Sequence, residues 1–78
     1  MHVACHGAST KYAELARKLR RLGCYFTRYG AGSHEMWRNP ATGKQSPIAY
    51  HATKEIGPKL LSRILRQLGI DREDFDQA

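Results

Sequence analysis

The sequence predicts an α+β domain: a helix, three antiparallel strands, then a second helix. Three observations carry this. Apolar residues recur at helical spacing over 11–22 and again over 58–68. The stretch between them is rich in aromatic and β-branched residues and is cut by clusters of glycine, proline and asparagine. Those connections are short, so neighbouring strands run antiparallel. Two amphipathic helices need one apolar surface to cover. Both are therefore expected on one face of a three-stranded sheet, leaving the opposite face open to solvent or a partner.

The chain has 78 residues, enough for a single small domain. Residues 1–10 carry no periodic pattern and are expected to form a poorly ordered segment ahead of a domain over 11–78. Residues 11–22, KYAELARKLRRL, place Tyr12, Leu15, Ala16, Leu19 and Leu22 on one helix face. Ser9 or Thr10 can supply the N-cap oxygen, and Gly23 stands where a left-handed C-terminal residue is wanted. Residues 24–29, CYFTRY, read as a strand. Residues 33–38, SHEMWR, follow after Gly30-Ala31-Gly32. Alternation puts Met36 on the face of His34 and Trp37 on the other, with nothing in the sequence to say which is buried. Asn39-Pro40-Ala41-Thr42-Gly43 is a turn cluster. Residues 44–51, KQSPIAYH, form a weaker strand, placed at an edge or given a bulge because Pro47 cannot donate to a ladder. Pro58 opens the second helix. Its predicted buried face is Leu60, Leu61, Ile64, Leu65 and Leu68, and Gly69 caps it with Ile70 folding back. Asp71 is placed to cap a last short turn, with Phe75 docking on the body.

Thirteen Lys and Arg stand against seven Asp and Glu, a net charge of +6. Residues 71–78 alone are acidic, at −3, so the first 70 carry +9. A small domain that basic favours a polyanion, with nucleic acid the first candidate. No stretch reaches the roughly 20 apolar residues of a membrane span, and the N-terminus lacks the apolar run of a signal peptide, so a cytoplasmic location is expected. Cys5 and Cys24 are too few for a disulfide framework and are expected reduced. His2-x-x-Cys5-His6 has metal-ligand residue types but no second ligand cluster at zinc-finger spacing, so neither a metal nor a cofactor is expected.

The chemically pointed segment is Gly30-Ala31-Gly32-Ser33-His34. Glycines let backbone N–H groups approach an anion. A hydroxyl and an imidazole follow at the mouth of a strand. An imidazole titrates near neutrality, which suits proton transfer. RNA carries its own nucleophile, the 2′-OH. A base that takes that proton, beside cations that stabilise the crowded phosphate, cleaves the strand without a metal. The same pattern is also that of a histidine at a loop edge. Arg28, Arg38, Lys44 and Lys54 flank the segment as candidate phosphate contacts, with Gly32 and Ser33 in the loop and His51 at the far strand end. Trp37 and Tyr25 are candidates for base stacking, with burial in the core the competing role for Trp37. A non-catalytic RNA-binding module and a basic protein-interaction domain remain alternatives.

The chain resembles the HicA toxins of bacterial toxin–antitoxin pairs over roughly residues 11–75. The likeness rests on Leu15-x-x-x-Leu19-x-x-x-Gly23, on Gly32-Ser33-His34 followed by Met36-Trp37-Arg38, and on His51. It continues through Lys54-Glu55-Ile56 and Ile64-Leu65-Arg66-Gln67-x-Gly69-Ile70. Ala49 stands where the family usually has a proline. The resemblance implies a double-stranded-RNA-binding-domain-like fold. It also implies a type II toxin that cleaves mRNA endonucleolytically, with His34 as the catalytic residue and a HicB-type antitoxin as partner.

Overall fold

The computed structural model describes residues 10–32, 34–49 and 55–78. The order is β1 (Thr10–Lys11), α1 (Tyr12–Arg21), β2 (Tyr25–Tyr29), β3 (His34–Asn39), β4 (Lys44–Ala49), β5 (Glu55–Ile56), α2 (Pro58–Leu68) and α3 (Arg72–Gln77). Strands β2-β3-β4 form an antiparallel meander with β3 at the centre. The predicted architecture is therefore present, with a two-stranded ribbon added to it. In that ribbon Thr10 pairs with Ile56 and Lys11 with Glu55. Because Thr10 and Lys11 are extended, α1 starts at Tyr12 rather than Lys11. Lys11 is its N-cap, with no capping side-chain bond, so the cap expected from Thr10 is not made. The remainder of the N-terminal segment, with Ser9 and His2-x-x-Cys5-His6, lies outside the described residues.

Strand alternation divides the sheet. Trp37, Asn39, Ser46 and Ile48 are buried on one face. Both helices reach that face. From α1, the Arg20 guanidinium lies 5.4 Å from the centre of the Trp37 ring. From α2, Gln67 Oε1 accepts a 2.9 Å bond from the fully buried Ser46 hydroxyl. Leu15, Ala16 and Leu19 of α1 meet Leu61, Ile64, Leu65 and Leu68 of α2 in the core cluster, with Cys24, Ile56 and Phe75. Burial pushes the Cys24 thiol above its ordinary pKa, which disfavours the reactive thiolate. Leu60 departs from the predicted buried face. It lies in the first turn of α2 and stays 40% exposed.

Both long helices end alike. Cys24 N–H donates to Leu19 O and Gly23 N–H to Arg20 O; Ile70 N–H donates to Leu65 O and Gly69 N–H to Arg66 O. These are the paired bonds of a Schellman motif, with Gly23 and Gly69 left-handed at φ 93° and 73°. The α2 terminus is also gripped from outside. Leu68 O accepts from Asn39 Nδ2 at 2.8 Å and from Thr42 Oγ1 at 2.9 Å. Asn39 Oδ1 in turn accepts from Ala41 N–H, and Thr42 Oγ1 accepts from Lys44 N–H. The turn between β3 and β4 thus uses its own side chains to satisfy a helix carbonyl that would otherwise lack a partner. After it, Asp71 is the N-cap of α3, but its side chain makes no cap bond; the Asp71 carbonyl instead accepts from Phe75 N–H. Phe75 is buried, as the sequence predicts, with Lys18 Nζ 4.9 Å above its ring.

The two cap glycines differ in one testable respect. A Cβ at Gly69 would lie 2.8 Å from Thr42 Cγ2, whereas one at Gly23 meets nothing within 4 Å. Gly23→Ala is expected to bear only the left-handed backbone cost, about 1–2 kcal/mol. Gly69→Ala should cost clearly more, read from urea unfolding of the two variants. Equal losses would show that the turn yields freely.

Candidate active site

The site is built on the hairpin between β2 and β3. Gly30 N–H donates to His34 O at 2.8 Å, and His34 N–H donates to Ala31 O at 3.2 Å. Gly32 takes φ 62°, a left-handed conformation that suits glycine at this tight reversal. The His34 ring folds back on the same loop, with Nδ1 2.9 Å from Ala31 O. A carbonyl oxygen only accepts, so Nδ1 carries the hydrogen. In the neutral ring that leaves Nε2 as the basic nitrogen. The side chain is exposed.

Register decides what stands near it. His34 pairs with Ala49 and Met36 with Pro47, without interruption at the proline. Strand β4 is an edge strand, as Pro47 requires. The irregularity lies instead in β2, where Phe26 faces Trp37 but Arg28 faces Met36. Thr27 is the extra residue, and its hydroxyl donates to Met36 O at 3.0 Å. Simple alternation would put Arg28 on the face of Phe26 and Trp37. The bulge moves it to the face of Met36 and His34, where it is the diagonal neighbour of His34, about 7–8 Å away.

The other predicted residues are distributed as follows. Arg38 shares the His34 face but lies four residues along β3, roughly 13 Å at the rise of a strand. It is half-buried and donates to Gly43 O at 3.3 Å. Lys44 pairs with Asn39 at the opposite end of the hairpin, roughly 17 Å away by the same measure, so it is not brought to His34. Gly32 lies in the loop beside it. Ser33, His51 and Lys54 lie outside the described residues. Trp37 is 1% exposed and cannot stack on a base; its bulk is needed between sheet and helices. Tyr25 is 46% exposed and pairs with Arg38.

Two residues without a role in the sequence reading bear on the site. Arg63 of α2 lines, with Leu60 and His34, a groove of about 160 Å³ beside β4. Its helical position gives a cation on the solvent face, but not which strand end that face overhangs. Glu35, next to the histidine in sequence, points the other way. Its Oε1 accepts from Trp37 Nε1 at 3.1 Å and from the Tyr12 hydroxyl. It therefore serves the core, and among the described strand residues no carboxylate is left beside the imidazole on the open face of the sheet. Glu35→Ala would leave the Trp37 indole N–H unpaired in the interior. It should lower the unfolding free energy by about 1–3 kcal/mol, read from the urea midpoint; an unchanged midpoint would deny Glu35 that role.

Among the described residues no group of three or more His, Cys, Asp or Glu side chains is placed to hold a metal ion, and no helix is long and apolar enough to cross a membrane. No curated protein matches the chain. A family model described as the HicA toxin of bacterial toxin–antitoxin matches residues 12–70, from the first residue of α1 to the residue that closes α2. That span takes in both long helices, the whole meander and the histidine hairpin, and the chain belongs to the HicA family of toxins.

Proposed function

We propose that this toxin cleaves RNA and that His34 is the catalytic residue. The observation that carries the reading is the exposed imidazole whose Nδ1–H is tied to Ala31 O, which leaves Nε2 free to take a proton. In the proposed step Nε2 accepts the proton of a ribose 2′-OH. The 2′-oxygen attacks the adjacent phosphorus, the P–O5′ bond breaks, and the leaving 5′-oxygen takes a proton from His34 or from water. The products are a 2′,3′-cyclic phosphate and a 5′-hydroxyl. Charge that accumulates on the phosphate is offset by Arg28, with Arg63 at the rim of the neighbouring groove. Ser33, His51 and Lys54 stand as further candidate contacts in sequence, and Gly32 lets the loop approach the backbone closely. The substrate is mRNA, reached in the cytoplasm. A HicB-type antitoxin is the partner expected to cover this surface and oppose its positive charge.

His34→Ala should lower RNA cleavage by about 10²–10⁴-fold while RNA binding persists, and expression of the variant should no longer arrest growth. Cleavage of a labelled RNA by the purified chain, alongside a binding measurement, checks this. Unchanged cleavage by the variant would remove His34 from the mechanism.

A further inference from the structure

The sheet face opposite the helices has a composition of its own. Tyr25 and Arg28 come to it from β2, His34, Met36 and Arg38 from β3, and Pro47 from β4. The one carboxylate in the three strands, Glu35, falls on the other face and is held there by Trp37 and Tyr12. The open face therefore presents two arginines and an imidazole with no acidic side chain among its strand residues. Tyr25 stands exposed across from Arg38, at the end of the sheet away from His34. Arg28 lies between them only because of the bulge at Thr27.

A duplex is read by shape, through helices and loops that reach its grooves and phosphates. A sheet face with an exposed aromatic ring and interleaved cations suits a different ligand: bases freed from pairing, stacked on the ring while arginines follow the backbone. We propose that the open face binds unpaired RNA, with a base stacked on Tyr25 and a phosphate on Arg28, so that the strand is led to His34. This rests on the reading of His34 as a ribonuclease residue and adds to it the substrate class and the path. Tyr25 is a positioning residue that holds the strand through a base; Arg28 touches the phosphate itself, and both leave the proton to the imidazole.

The test uses the whole chain and a short single-stranded RNA carrying 2′-O-methyl groups, which cannot be cleaved, so binding is read apart from chemistry. The same strand annealed to its complement is the comparison. The single strand should bind more tightly than the duplex. Tyr25→Ala should weaken single-strand binding about 5–100-fold, the effect of losing one stacked base. Arg28→Gln should reduce the slope of log affinity against log salt by about 0.7, the share of one phosphate contact on a single strand. Arg17→Gln, on the exposed face of α1, should leave the single-strand affinity unchanged. Tighter binding of the duplex, or a Tyr25→Ala variant that binds like the parent, would overturn the proposal; if unmodified RNA is still cleaved through His34, the nuclease reading stands without it. Absence of RNA binding would overturn both and leave the face to an acidic protein.

Discussion

The structure turns on the burial of one indole. Trp37 is the largest fully buried side chain, and strand alternation does not let it be buried without sending its neighbours outward. Once Trp37 faces the helices, His34, Met36 and Arg38 face solvent. The indole is held from three directions: by helix packing, by Arg20 over its ring, and by its N–H on Glu35. A shift of one residue in β3 would reverse every one of these assignments. The His34 imidazole is thus kept in water by the same constraint that fills the core.

The two ends of the hairpin stack are built for different tasks. At the Asn39–Gly43 end the turn grips the C-terminus of α2 through two bonds to Leu68 O, and Gly69 passes too close to Thr42 for any side chain. That fixes where α2 lies along β4. At the other end the chain reverses through Gly30–Gly32, and backbone bonds within the loop orient one exposed ring. The rigid end determines where Arg63 and Leu60 stand relative to His34. The loop end determines which imidazole nitrogen is free.

Charge is organised by the same frame. The basic face of α1 is not uniformly solvated: Lys18 covers Phe75 and Arg20 covers Trp37. Those two cations shield aromatic rings. The acidic C-terminal segment forms α3, where Arg72 pairs with Asp76 at 3.1 Å on the surface, a contact worth little by itself. Among the described strand residues, the cations of the open sheet face have no such acidic neighbours, which leaves that face with a positive potential.

The helices, the strand order and most of the core are legible in the chain, because helical and strand periodicities are local and Gly23, Gly69, Pro47 and Pro58 act on their own backbone. The sequence also singled out His34, since a histidine behind a glycine loop is readable as a string. It did not determine the β1–β5 ribbon, a pairing of two-residue segments far apart in the chain, and so it misplaced the start of α1 and its cap. Nor did it determine that Arg28 shares the face of His34 while Lys44 stands at the far end. A bulge at Thr27 and the pairing register set those positions, and both are decided by contacts between strands. Glu35, adjacent to the histidine in sequence, was likewise assigned to the core only by the tertiary structure: its partners Trp37 and Tyr12 meet only after α1 has folded onto the sheet.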